Sequence, residues 1–165
     1  LGDSLLPQLV PGHLDAHIGN SSIDLRLHDE WLIPCWPDDV PFVVGTDMMR
    51  YSRRTGDLLI GPHQFVLCRT LERVHLPLEV AGWVEGRSSI GRLGVWVQNA
   101  GYVDSGFEGT ITLEIYNGNN FPIQIPAGYR ITQLVAALTT GVTFGYNGKF
   151  QNQTNCTGFK NDNVR

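Results

Sequence analysis

The chain has 165 residues, 42% apolar and 17% charged, enough for one domain with a full core and too few for two. Disorder, collagen and coiled coil are excluded by that composition. Sixteen acidic against 12 basic side chains leave a formal charge of −4; with no basic tract, a broad nucleic-acid footprint is excluded, and a small anion held by a few Arg and Lys is not.

Asp3–Val10 reads as an opening helical turn, capped by Asp3 or Ser4 and shortened by Pro7. Strands are predicted at Ser22–Leu27, Gln64–Leu71, Glu79–Val84, Val95–Gln98, Gly109–Tyr116, Pro122–Ile125 and Ile131–Ala137, rich in branched and aromatic residues and bounded by turn formers. Ser88–Leu93 reads as a second helical turn. Many short strands at this spacing predict an all-β sandwich or barrel as a single domain over 1–165. In Tyr146–Arg165, Asn, Gln, Gly and Lys replace the apolar pattern, which predicts a mobile C-terminal arm that adds almost nothing to the core.

Cys35, Cys68 and Cys156 are odd in number and far apart. They predict idle thiols in a reducing cytosol rather than a disulfide framework or a structural zinc site. No apolar run reaches the length of a membrane span or a signal segment, so the expectation is a soluble, cytoplasmic protein.

Two segments carry chemistry. In Gly109–Tyr116, Ile111, Leu113 and Ile115 share one strand face while Thr110, Thr112, Glu114 and Tyr116 share the other. On an open sheet Glu114 is merely solvated; on a cleft it is a carboxylate on a rigid strand, well placed for general acid–base work. In Glu85–Gly94, Arg87 and Arg92 flank Ser88 and Ser89 among glycines. The segment reads as a phosphate cradle or as a polar turn capping a short helix. It is not a Walker A loop, because G-x-x-x-x-G-K-[ST] is absent.

Gly86–Gly94 (GRSSIGRLG) followed by Ala100–Asn117 (AGYVDSGFEGTITLEIYN) resembles the dCTP deaminase branch of the dUTPase-like superfamily. Ser21–Leu27 (SSIDLRL) resembles the family's first motif, Ala127–Val135 (AGYRITQLV) its fourth and Lys149–Gln153 (KFQNQ) its phosphate-binding arm, all in family order. The resemblance implies a distorted, jelly-roll-like β-barrel that assembles as a homotrimer, with each active site between subunits. The implied substrate is dCTP or dUTP with Mg²⁺ on the triphosphate, and dTTP is a candidate inhibitor. By position, Arg87, Ser88 and Ser89 would contact phosphates, and Ser88 and Arg92 would help hold the attacking water. Glu114 matches the catalytic glutamate of the deaminases. Asp104 matches the aspartate that binds the sugar 3′-hydroxyl and, in dUTPases, orients the hydrolytic water. Phe107 matches the aromatic packed on the deoxyribose, Gln133 a glutamine near the phosphates, and Tyr146, Lys149 and Gln153 triphosphate ligands. Asp24 and Arg26 belong to motif one as structural or interfacial residues.

Deamination adds water to C4 of cytosine and expels ammonia, and one carboxylate can move the proton, for about 10²–10⁴-fold of the rate. Zinc deaminases use H-x-E and P-C-x-x-C segments; this chain has Pro34-Cys35 but Asp38 where the second cysteine would stand, so zinc-free deamination is expected. Between Arg92 and Asp104 the chain is one residue shorter than some monofunctional deaminases, and Asn99-Ala100-Gly101-Tyr102 is more similar to bifunctional enzymes that turn dCTP into dUMP for thymidylate synthesis. A pure dUTPase and a non-catalytic nucleotide-binding barrel are the alternatives.

Overall fold

The computed structural model describes residues 5–13, 17–97, 100–141 and 144–162. Its strands are β1 (His17–Ile18), β2 (Ser22–Cys35), β3 (Arg50–Thr55), β4 (Leu58–Ile60), β5 (Phe65–His75), β6 (Val80–Gly86), β7 (Val95–Val97), β8 (Tyr102–Val103), β9 (Glu108–Asn117), β10 (Ile123–Ile125) and β11 (Arg130–Leu138). One helical turn, α1 (Ser88–Gly91), and a 3-10 turn at Leu6–Leu9 complete the described elements. One sheet runs β7-β9-β5-β2-β11-β6-β8, with β1 and β3 also on β2; β4 and β10 form a separate ribbon.

The 14-residue β2 explains why this sheet curls. Its first half pairs with β11 (Ile23 opposite Leu134) and its second half with β3 (Glu30 opposite Thr55), while β5 runs along it at Leu27 and Leu32. Register shifts between Leu27 and Trp31 and between Arg69 and Arg73 bend the strands there. Side chains stitch the second bend: Thr70 Oγ1 donates to Glu72 O (2.8 Å) and accepts from Ile111 N (2.9 Å). The wholly buried Glu72 accepts from Arg26 N (2.7 Å) and Arg26 Nε (2.6 Å). Arg26 therefore serves the barrel wall. The result is a distorted, jelly-roll-like half-barrel, all-β as expected.

Inside it lie Ile23, Leu25 and Leu27 of β2, Val66 and Cys68 of β5, Ile111, Leu113 and Ile115 of β9, and Ile131 and Leu134 of β11. Burial of each Leu or Ile contributes about 1.5–3 kcal/mol. No helix of the described residues is long and apolar enough to cross a membrane.

The seven expected strands are all present, with moved ends. β2 continues past Leu27 because Glu30, which breaks the apolar pattern, is buried against Arg69 and Arg53. β3, a charged RYSRRT strand, carries no apolar alternation to predict it. The helical turn expected at Asp3–Val10 shortens to 3-10 geometry with Pro7 in its first positions; the Asp3 or Ser4 cap lies outside the described residues, as do Gln98 and Asn99. The arm differs most from expectation in packing. Its polar composition hides Cys156, which is only 2% exposed and packs with Leu32, Leu67 and Tyr51, while Tyr146 and Phe150 lie against the main core. The expectation of an arm contributing almost nothing to the core is corrected accordingly.

Candidate active site

A cavity of about 550 Å³ opens on the outer face of β9 and under the arm. Asp104, Phe107, Glu114, Tyr146, Lys149 and Gln153 all line it. Glu114 stands opposite Leu67 of β5, on the strand face away from Leu113 and Ile115. Its Oε2 is buried and has no hydrogen-bond partner. Leaving a carboxylate oxygen dry and unpartnered costs about 1–3 kcal/mol or more, which a fold tolerates where a ligand will supply the donor. Glu114 is therefore no solvated sheet residue.

Asp104 is exposed at the cavity mouth, in a turn closed by Phe107 N donating to Asp104 O (3.1 Å). Phe107 is buried, and the Tyr146 ring lies 5.8 Å from it at 58°. The arm reaches this spot by pairing with the start of β9: Asn152 N donates to Glu108 O (2.7 Å) and Thr110 N to Gln153 O (2.9 Å). Gly109 permits this, with φ +150 and room for no Cβ, which would stand 2.9 Å from Gln153 O. Gln153 Nε2 donates to Thr110 O (2.6 Å), while its Oε1 is buried without a partner. Lys149 Nζ donates to Lys160 O (2.6 Å) and pairs with Asp162; Lys160 Nζ donates back to Lys149 O (2.7 Å). Both ammonium groups stand over the Phe150 ring, at 5.4 and 5.2 Å.

Arg87, Ser88, Ser89, Arg92 and Gln133 do not line this cavity. Arg87 and Gln133 meet at Asp24 instead, because β11 pairs with both β2 and β6 and sets Gln133 opposite Asp24 on one side and Glu85 on the other. The buried Asp24 carboxylate takes Arg87 Nε (3.2 Å), Arg130 Nη1 (3.1 Å) and Gln133 Nε2 (3.2 Å). Arg87 Nη1 also donates to Arg130 O (3.0 Å). Ser88, Ser89 and Arg92 are exposed around α1, and its N-cap residue Arg87 makes no side-chain cap hydrogen bond. The segment is thus not built to cap a helix with its side chains.

Among the cavity residues that the sequence does not mark as site residues are Tyr51, Thr112 and Lys160. Lys160 was the findable one, as a second lysine in the arm; Tyr51 belongs to the unforeseen β3. Burial raises the Tyr51 phenol above its ordinary value, raises the Cys68 thiol well above its own, and pushes Cys156 up to about 12. These two thiols are inert, since a thiolate is the reactive form.

A family model described as dCTP deaminase-like matches residues 8–139. A protein of Sulfurihydrogenibium sp. (strain YO3AOP1) named dCTP deaminase, dUMP-forming, is 45% identical over 150 residues, which is 87% of this chain and 82% of its own. One of the same name from Persephonella marina (strain DSM 14350 / EX-H1) is 42% identical over 158 residues, 91% of this chain and 87% of its own. Among solved structures, 2′-deoxycytidine 5′-triphosphate deaminase from Agrobacterium tumefaciens superposes with a TM-score of 0.56 at 21% identity, over 74% of this chain and 40% of that one. The dUTPase of Staphylococcus bacteriophage 80alpha with dUPNHPP gives 0.53 at 14% identity, over 81% of this chain and 79% of that one. At such identities these structures speak for the fold alone, and the fold is of the dUTPase-like type. The sequence matches reach further, across the Arg87–Arg92 segment, the strand bearing Glu114 and the first and fourth motifs alike: the chain belongs to the dCTP deaminase-like family.

Proposed function

We propose that the protein hydrolytically deaminates dCTP and carries the product on to dUMP and diphosphate, as the names of its relatives say of them. The carrying observation is the dry, unpartnered Oε2 of Glu114 in a cavity large enough for a nucleoside. Glu114 takes a proton from water and delivers it to N3 as the hydroxyl adds to C4; the C4 hydroxyl proton then passes by way of Glu114 to the amine, which leaves as ammonia while the C4 carbonyl forms and N3 keeps its proton. The deoxyribose packs on Phe107 with its 3′-hydroxyl on Asp104. Asp104 then orients a second water toward the α-phosphorus of dUTP. Lys149, Gln153 and Tyr146 serve the triphosphate from the arm.

Arg87, Ser88, Ser89, Arg92 and Gln133 come from another copy, in a homotrimer whose sites lie between subunits. What supports this is their separation from the cavity within one chain, together with exposed apolar groups beside them. Leu93 and Trp96 stand in solvent, and Trp96 lies 5.5 Å from Tyr116. Among the described residues no three His, Cys, Asp or Glu converge on a metal site. Mg²⁺ is held by the substrate's own phosphate oxygens, where the ion neutralises phosphate charge. A cytoplasmic setting suits such a reaction.

The test is incubation with dCTP and with dUTP, assaying ammonia and diphosphate separately, beside light scattering. Both products from dCTP, and about 55 kDa for three 18.3 kDa chains, are expected. Diphosphate from dUTP with no ammonia from dCTP would make it a pure dUTPase; neither product would leave a binding barrel.

A further inference from the structure

Residues 154–162 turn back along the cavity, and side chains hold them in place of a strand partner. Cys156 N donates to Glu30 Oε2 (3.2 Å), Thr157 N to Thr112 Oγ1 (3.2 Å) and Phe159 N to Tyr51 Oη (2.8 Å). The three acceptors stand on three strands, β2, β9 and β3, at sequence distances of 126, 45 and 108 residues. Each is itself placed by the barrel. Glu30 is 7% exposed and also takes Arg69 Nε (3.0 Å) and the Arg53 guanidinium. Burial keeps Tyr51 a neutral phenol.

Gly158 makes the crossing possible. Its backbone lies on the Tyr51 ring so closely that a Cβ would collide with the ring carbons. On either side, Cys156 is sealed against Leu32 and Leu67, and the Phe159 ring meets Phe42 edge-on at 5.8 Å. The consequence is functional placement: Thr157, Gly158, Phe159 and Lys160 form a wall of the cavity that holds Glu114, with Lys160 beside Lys149.

We infer that Glu30, Tyr51, Thr112 and Gly158 are positioning residues that fasten the arm's return segment so that Lys149 and Lys160 form a two-lysine clamp for the substrate's triphosphate. The inference rests on the cavity being the nucleotide site proposed above. Fastening lowers the ordering cost of binding, since the second ammonium is already at the site when the polyanion arrives. In the free protein Asp162 stands on Lys149 as the anion that phosphate exchanges for.

Gly158→Ala tests this with readouts that need no turnover. Amide hydrogen exchange should show residues 156–159 losing protection while β5 and β9 keep theirs. Calorimetry with inorganic tripolyphosphate and with dUTP should give a Kd weaker by about tenfold. KM for dCTP should rise by a similar factor, with kcat within about threefold of the parent. Tyr51→Phe and Thr112→Val each remove one acceptor without a clash and should act in the same direction by about two- to threefold; they decide the matter if the alanine variant does not fold. Unchanged exchange at 156–159, or lost protection with unchanged tripolyphosphate affinity, overturns the inference. A parent protein that releases no ammonia from dCTP but shows these shifts refutes the proposed activity and leaves the clamp standing.

Discussion

The two polar centres of this protein, Glu114 in the cavity and Asp24 between β2, β6 and β11, are both carboxylates on strands, and they are treated oppositely. Every donor around Asp24 is used: Arg87 and Arg130 meet one oxygen and Gln133 the other. Glu114 Oε2, also out of water, meets nothing. A saturated buried network rigidifies what it holds, whereas an open valence is the place where a fold gives up stability for a ligand. Asp24 thus holds Arg87 and Gln133 in place, and in the proposed function Glu114 is the group kept free for chemistry.

The largest effect expected is on catalysis at the open centre. Glu114→Gln keeps the volume and removes the base, so ammonia release from dCTP should fall about 10³-fold while binding persists. Its denaturant midpoint should not fall, because no partner is lost. Near-parental ammonia release would remove Glu114 from its role.

The saturated centre should respond in stability instead. Asp24→Ala strands two guanidinium groups and should cost about 3–5 kcal/mol in urea unfolding, with Asp24→Asn losing less. Because Arg87 is then free to wander, the Asn variant should also raise KM for dCTP more than it lowers kcat. If Asp24→Asn proved as innocuous to stability as Glu114→Gln, the contrast between the centres would be wrong.

The smallest effect reads how dry the packing behind the cavity wall is. Cys68 pairs across from Leu113, next to Glu114 on β9, and Cys156 seals the arm nearby. Burial raises both thiols, Cys156 to about 12 from the ordinary 9.0. Between those values the unfolded chain has lost the Cys156 proton that the folded chain keeps, so stability falls as pH rises, by about 1.4 kcal/mol per pH unit for that thiol. Cys156→Ser should flatten the alkaline limb of stability against pH. An unchanged slope would mean that water reaches the thiol.

Much of this was legible along the chain. Ile111, Leu113 and Ile115 alternate with Thr112 and Glu114, and a period of two reports a strand with two unlike faces whatever surrounds it. The run from Arg87 to Arg92 and the order of the other motifs were equally plain, because family resemblance is a property of linear order. The polar face of β9 was not: whether Glu114 met water or a cavity depended on an arm that returns from residues 146–162, and its donors and acceptors are contributed from as far away as Glu30. The arm's polar letters suggested no anchor, since backbone N–H groups bound by distant carboxyl, hydroxyl and phenol groups leave no periodic trace. β3 went unseen for the same reason, as its Arg53 gains a partner only once β2 runs on past Leu27. Local periodicity is set by neighbours two residues apart, and it determined the strands and the composition of the site; which polar groups are left unpartnered is set by contacts across the whole chain, and tertiary structure alone decided that.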